Sequence, residues 1–222
     1  MNAARSVPEG NRESAAPTRP LWQRVVPDFK AAFMAVERVE RQLRRFTAAL
    51  DAAGVPYAVV GGNAVAAWVA TIDADATRTT KDVDVLVRRS DMDRIAQAVR
   101  SVGLVPGEVL GVPMFVEEAD PSPRGAVHIL YADEPVRPDD PRPAPSVTSA
   151  CRSPQGYMVI NLPELVRMKL EAFRRRDQVH LEDLLSLGLI DADIAETLPP
   201  DLLVRLRHIR DTMEWPGPPP VF

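Results

Sequence analysis

The sequence predicts an α+β protein, with a strand-and-helix half over residues 28–132 followed by a helical half over residues 155–215. Three observations predict it. Tyr57–Val87 reads YAVVGGNAVAAWVATIDADATRTTKDVDVLV: a strand, a Gly-Gly turn, a short helix, a polar loop and a second strand. Met114–Glu118 and Ala126–Ala132 are further strand-like runs, parted by turn-forming residues 120–125. Beyond a proline-rich segment the apolar residues recur at intervals of three and four, as helices require.

Each element has a local cause. Residues 1–27 hold Ala, Ser, Arg and Pro without periodicity and are expected to be a disordered tail. Pro27-Asp28 then opens a helix to about Ala53, whose stripe Val36, Val39, Leu43, Phe46 and Leu50 steps by three and four, with Gly54 as its stop. Tyr57–Val60 is the first core strand, and the apolar helix Asn63–Val69 follows Gly61-Gly62. After the strand Asp82–Val87, Ser90 with Asp93 three residues on predicts a helix cap, and Ile95, Val99 and Val102 a buried face ended by Gly103. In Ala126–Ala132, His128 and Leu130 share one face, and Val127, Ile129 and Tyr131 the other. Residues 133–154 are a proline-rich linker, because proline cannot join helices or central strands. Asn161-Leu-Pro-Glu164 caps a helix carrying Leu165, Val166, Leu170 and Phe173 inward. Asp177–Leu187 and Asp201–Trp215 are the last helical stretches, and 216–222 a tail.

Composition bounds the function. A chain of 222 residues with 45% hydrophobic and 26% charged residues is an ordinary globular protein, one domain or one with a small appendage. A net charge of −4 provides no overall basic field for nucleic acid, although local patches remain open. Cys151 has no partner for an internal disulfide and no neighbouring base, which makes it a bystander thiol in a reducing compartment. No run approaches the ~20 apolar residues of a membrane span, and the N-terminal residues lack a signal-peptide core. The cytoplasm is the expected location.

Chemistry concentrates in Tyr57–Val87. Asp82 and Asp84, separated by one residue, project from the same strand face, while Val83, Val85 and Val87 face a core. Surface strands also carry paired acids for solubility. Here the acids follow a Gly-Gly turn, whose free amides suit an anion, and stand just after Arg78 and Thr80. Carboxylates flanked by anion-binding groups point to a metal–nucleotide site.

The combination VVGGNAVAAW…RTTKDVDVLV resembles the nucleotidyltransferase superfamily, whose fold includes DNA polymerase β, and is most similar to bacterial proteins of the abortive-infection toxin type. The resemblance covers roughly residues 55–190 and extends to LPELVRMKLEAFRRRDQVHLEDLL. It implies a nucleotidyltransferase fold, a small mixed sheet with flanking helices and a C-terminal helical part. It also implies that Asp82 and Asp84 bind divalent metal, Mg²⁺ or Mn²⁺, and that Gly61 and Gly62 lie against the triphosphate of an NTP. Arg78 and Lys169 are then phosphate contacts, or else partners of local acids. Asp177 orients or deprotonates an acceptor, or caps its own helix. The family's third carboxylate is replaced by His128, which alters the metal set or the base; His180 likewise stands where related toxins read Asp. Imidazole suits Mn²⁺ or Zn²⁺ better than Mg²⁺ and can still accept a proton.

Three functions are compatible with this resemblance. One is an enzyme that moves a nucleoside monophosphate from an NTP to an RNA end, such as tRNA, or to a protein hydroxyl, as the toxin of a toxin–antitoxin pair with an antitoxin partner. A second is an antibiotic-modifying adenylyltransferase, since those enzymes share the Gly-Gly helix and Asp-x-Asp strand. The third is a degenerate, non-catalytic nucleotide-binding module. The run Arg174–Arg176 suits RNA phosphates or is a solvated face.

Overall fold

A single mixed sheet organises the molecule. The computed structural model describes residues 29–123 and 125–213. The expected tails, 1–27 and 216–222, and the end of the expected last helix at Trp215 lie outside the described residues. The strands are β1 (Tyr57–Val60), β2 (Val83–Val87), β3 (Leu104–Val109), β4 (Val112–Glu117), β5 (Val127–Tyr131), β6 (Ala150–Arg152) and β7 (Met158–Ile160). They lie in the order β3-β4-β5-β2-β1-β7-β6. The pairs β1–β2, β3–β4, β4–β5 and β6–β7 are antiparallel, while β2–β5 and β1–β7 are parallel. The helices are α1 (Phe29–Ala53), α2 (Gly61–Val69), α3 (Met92–Arg100), α4 (Leu162–Ala172), α5 (Arg175–Ser186), α6 (Ala192–Thr197) and α7 (Pro200–Thr212). An α+β protein with a mixed sheet and flanking helices is what the sequence predicts.

Strand alternation divides the core between the two faces of the sheet. On one face Val83, Val85, Val87, Val127 and Ile129 meet Val39, Leu43, Phe46 and Leu50 of α1 and Ile95 and Val99 of α3. Phe46 and Phe115 pack with ring centroids 5.5 Å apart. On the other face Val60, Leu86 and Ile160 meet α2, α4, α5 and α7 through Ala64, Leu165, Leu181 and Leu206. The helical half is therefore the second cover of the sheet. Fully burying a Leu or Phe contributes ~1.5–3 kcal/mol, and Phe46, Leu50, Leu86, Leu165 and Leu181 are all completely buried.

Several local expectations change. Val36 is 38% exposed, so the buried stripe of α1 begins at Val39. Ser90 caps nothing: it lies in a short 3₁₀ turn, Arg89–Asp91, and α3 starts beyond it without a side-chain cap. Gly61 and Gly62 form the first turn of α2 rather than preceding it. β3 comes from residues that carry no strand expectation; its Pro106 is tolerated because β3 is an edge strand. The hairpin between β3 and β4 turns on Leu110 and Gly111, both at positive φ, and a leucine there hides the signal that Asn-Gly would send. Within the proline-rich segment 133–154, Val147–Ser149 form a 3₁₀ turn and Ala150–Arg152 form β6 at the sheet's other edge. Asn161 does cap α4, its Oδ1 accepting from the Glu164 amide at 3.0 Å.

Candidate functional site

Sheet register brings the acid strand and the histidine strand together. β2 and β5 are neighbours and parallel, with Asp84 directly opposite His128. Their side chains share the face that the helical half covers. His128 Nδ1 lies 3.5 Å from Asp84 Oδ1, both side chains half-buried. The Asp84 carboxylate holds the His128 imidazole above its ordinary pKa; burial opposes this and the charge of Asp82 adds to it.

The other oxygen of Asp84 faces the start of α2. Gly61 has φ +66°, and a Cβ built on it would overlap Asp84 Oδ2 and stand 2.9 Å from Cγ. Only glycine combines that conformation with that approach. The opening amides of α2 have no helical acceptor, and the helix dipole makes this end partially positive, which suits an anion beside the carboxylate. Gly62 is close-packed for a different reason: a Cβ would come within 3.0 Å of Thr80 Oγ1 and 3.8 Å of His180 Cε1.

Asp82 is fixed through its backbone. Its carbonyl accepts from Asn63 Nδ2 at 2.8 Å and from Thr80 Oγ1 at 3.2 Å. Thr80 thus locks the loop before β2. Asn63 is a buried anchor that the sequence reading missed; its place directly after Gly61-Gly62, an amide in the first turn of a helix, is the signal that was available. Arg78 is occupied: Nε and Nη2 donate to the two carboxylate oxygens of Asp183 on α5 at 2.6 and 2.9 Å, which ties the α2–β2 loop to the helical half.

Lys169 of α4 and Asp177 of α5 form a buried pair, Nζ to Oδ1 at 2.9 Å. Asp177 Oδ2 also accepts from the Arg174 amide at 3.3 Å, so it caps α5 as well as holding the lysine. One turn along α5, His180 is buried, and its Nδ1 has no hydrogen-bond partner among the described residues. Burial, followed by the Lys169 charge, pushes its pKa down to about 4.

A cleft of about 490 Å³ runs across this face. Gly61, Asp84, His128, Lys169 and Asp177 line it together, although five elements supply them. Gly62, Arg78, Thr80 and Asp82 stand outside its wall. Arg137 and Arg174 also line the cleft, and neither has an ion-pair partner among the described residues. Arg137 sits in the proline-rich segment, where no sequence pattern marks it.

A hard divalent ion takes carboxylate oxygens completed by phosphate and water. Asp84 suits one such ion with a nucleotide; Asp82, expected on the same strand face, lies just before β2 and outside the cleft wall. Among the described residues no three His, Cys, Asp or Glu side chains gather into a group able to hold a metal by themselves. Asp82, Asp84 and His128 are therefore not a closed three-ligand cage, because the imidazole is directed at Asp84 itself.

No protein-family model matches the sequence, and no curated protein matches it. Solved structures are similar in outline. The solution structure of the antibiotic-resistance factor ANT(2'')-Ia is similar over 80% of this chain and 85% of that one, at 12% identity and a TM-score of 0.43. The crystal structure of ANT(2'')-Ia with adenylyl-2''-tobramycin is similar over 75% and 95%, at 17% identity and a TM-score of 0.48. An antigenic nucleotidyltransferase-like protein from Paracoccidioides brasiliensis is similar over 83% and 88%, at 16% identity and a TM-score of 0.48. Scores of this size describe a shared outline; the chemistry rests on the residues of the cleft.

Proposed function

We propose that this protein is a nucleotidyltransferase, moving a nucleoside monophosphate from an NTP to an acceptor hydroxyl. The observation that carries the proposal is the convergence on one cleft of Asp84, the glycine-led start of α2, His128 and Lys169. Phosphate oxygens are received by the α2 amides and the Lys169 ammonium. A divalent ion held by Asp82 and Asp84 would neutralise charge growing on the phosphates. His128 Nδ1 faces Asp84, which leaves Nε2 to take the acceptor's proton. The acceptor oxygen then bonds to the α-phosphorus, the bond to the β-phosphate oxygen breaks, and pyrophosphate leaves with that electron pair. Asp177 orients Lys169 and caps α5 in this scheme. Arg78 and Thr80 act as positioning residues, since their side chains already hold Asp183 and the Asp82 carbonyl.

An anionic acceptor, RNA in particular, is favoured over a polycationic drug. Arg137 and Arg174 face the cleft with no side-chain ion pair among the described residues, and such cations attract phosphate and repel an aminoglycoside. A growth-inhibiting role with an antitoxin partner is the corresponding biological reading. Incubating the protein with each α-³²P-NTP, Mg²⁺ or Mn²⁺, and tRNA, total protein or an aminoglycoside panel tests this. Label on RNA is expected; label on the drugs alone would replace the acceptor assignment, and nucleotide binding without transfer to anything would leave a binding module.

A further inference from the structure

Asp84 turns its two oxygens to different neighbours. Its Oδ1 faces His128 Nδ1 at 3.5 Å, and its Oδ2 is the atom pressed toward Gly61. Two ions that clamp a phosphoryl transfer sit ~3.5–4 Å apart. A carboxylate that joins them needs both oxygens, and further carboxylates must share the positive charge. Here Asp82 and Asp84 together supply one ion, Asp82 from outside the cleft wall, and no third acid stands on β5. That position holds an imidazole, which brings no negative charge and whose Nδ1 is directed at Asp84. The other acids of the cleft are engaged: Asp177 with Lys169 at 2.9 Å, Glu171 with Arg142 at 2.6 Å, and Asp140 with the Arg137 amide at 2.9 Å. Donors for one hard cation are present, and donors for two are not.

We propose that the site takes a single divalent cation with each nucleotide, and that His128 fills the place of a second. The proposal rests on the nucleotide-site reading of the cleft. It makes His128 the residue that decides metal stoichiometry, and it predicts that an acid at position 128 would create the missing ion site.

Binding alone tests it. Full-length protein is saturated with the α,β-methylene analogues of the four NTPs in turn, titrated with Mn²⁺, and bound ions are counted by electron paramagnetic resonance and calorimetry. One Mn²⁺ per bound analogue in the wild type is expected. In His128→Asp a second ion should bind at least tenfold more tightly than in the wild type. Two tightly bound ions per analogue in the wild type would overturn the proposal on their own, whatever the variant does. A folded His128→Asp that still binds one ion would equally overturn it. An analogue-bound wild type keeps the nucleotide-site reading standing in either case. If no analogue binds at any Mn²⁺ concentration, that reading fails and the proposal with it.

Discussion

Gly61 carries a demand that no other residue meets. It adopts φ +66°, and the space a Cβ would occupy is taken by the Asp84 carboxylate. Gly61→Ala therefore has to displace Asp84 and strain the backbone, at about 1–3 kcal/mol. Denaturant unfolding should show that loss, and calorimetry should show nucleotide affinity falling at least tenfold. Gly54, where nothing lies within 4 Å of an added Cβ, supplies the control: Gly54→Ala should lose stability through its own positive φ and retain affinity. Lys169 and Asp177 make the second residue-scale case. Removing one member of a buried pair strands the other charge, costing about 3–5 kcal/mol, while replacing both by apolar residues of similar volume is close to neutral. Lys169→Met and Asp177→Leu should each be much less stable than the double variant. A double variant as unstable as the sum of the two would show that the pair is not coupled.

At the scale of elements, caps separate what sequence pattern reveals from what it conceals. Asn161 and Ser90 both read as helix caps. The first accepts from the Glu164 amide at 3.0 Å, whereas the second sits in an exposed 3₁₀ turn with no capping bond. Asn161→Ala should cost about 1 kcal/mol and Ser90→Ala less than about 0.5 kcal/mol in urea unfolding. Strands show the same division. β1, β2 and β5 are legible as short apolar runs, β1 buried throughout and β2 and β5 each with one polar residue, Asp84 and His128, on the alternate face. β3, β6 and β7 are not. β3 contains Pro106 and Gly107, and β6 and β7 have three residues each, too few to establish any period. Their conformation is imposed by pairing with neighbouring strands, β3 and β6 at the sheet edges and β7 between β1 and β6, a tertiary effect that local pattern does not encode.

At the scale of the whole molecule, the site exists because the helical half closes over the acid-bearing face of the sheet. Tyr57–Val87 is contiguous, so Gly61, Asp82 and Asp84 are readable as a unit. The partnership of Asp84 with His128 depends on β2 and β5 being parallel neighbours, and the arrival of Lys169 on α4 packing; neither follows from spacing. The resemblance to a known family supplied those positions. It did not supply their pairings, which make Arg78 a tether to Asp183 and Thr80 a lock on the Asp82 carbonyl. His180 reports on this closure. It is 7% exposed, and its folded pKa of about 4 lies below the ordinary 6.5. Between those values the unfolded chain binds a proton that the folded chain does not. The stability is fully present above pH ~6.5 and declines as pH falls toward 4, by up to about 3 kcal/mol. Lys169, Asp177, Asp183 and Arg176 face the same ring, so the test is differential. His180→Leu should flatten the decline measured by thermal unfolding between pH 7 and 4.5, and an unchanged slope would remove His180 as its cause.

Nucleotidyl and phosphoryl transfer differ in which phosphorus atom moves. The protein is incubated with Mg²⁺ or Mn²⁺, total RNA and NTPs labelled in parallel at the α- or γ-phosphate, and both acceptor and small-molecule products are resolved. Nucleotidyl transfer in the Asp84 cleft predicts α-label on the acceptor and γ-label in pyrophosphate, both reduced at least a hundredfold in a folded Asp82→Asn/Asp84→Asn variant. Appearance of γ-label on the acceptor, or α-transfer undiminished in that variant, would contradict it.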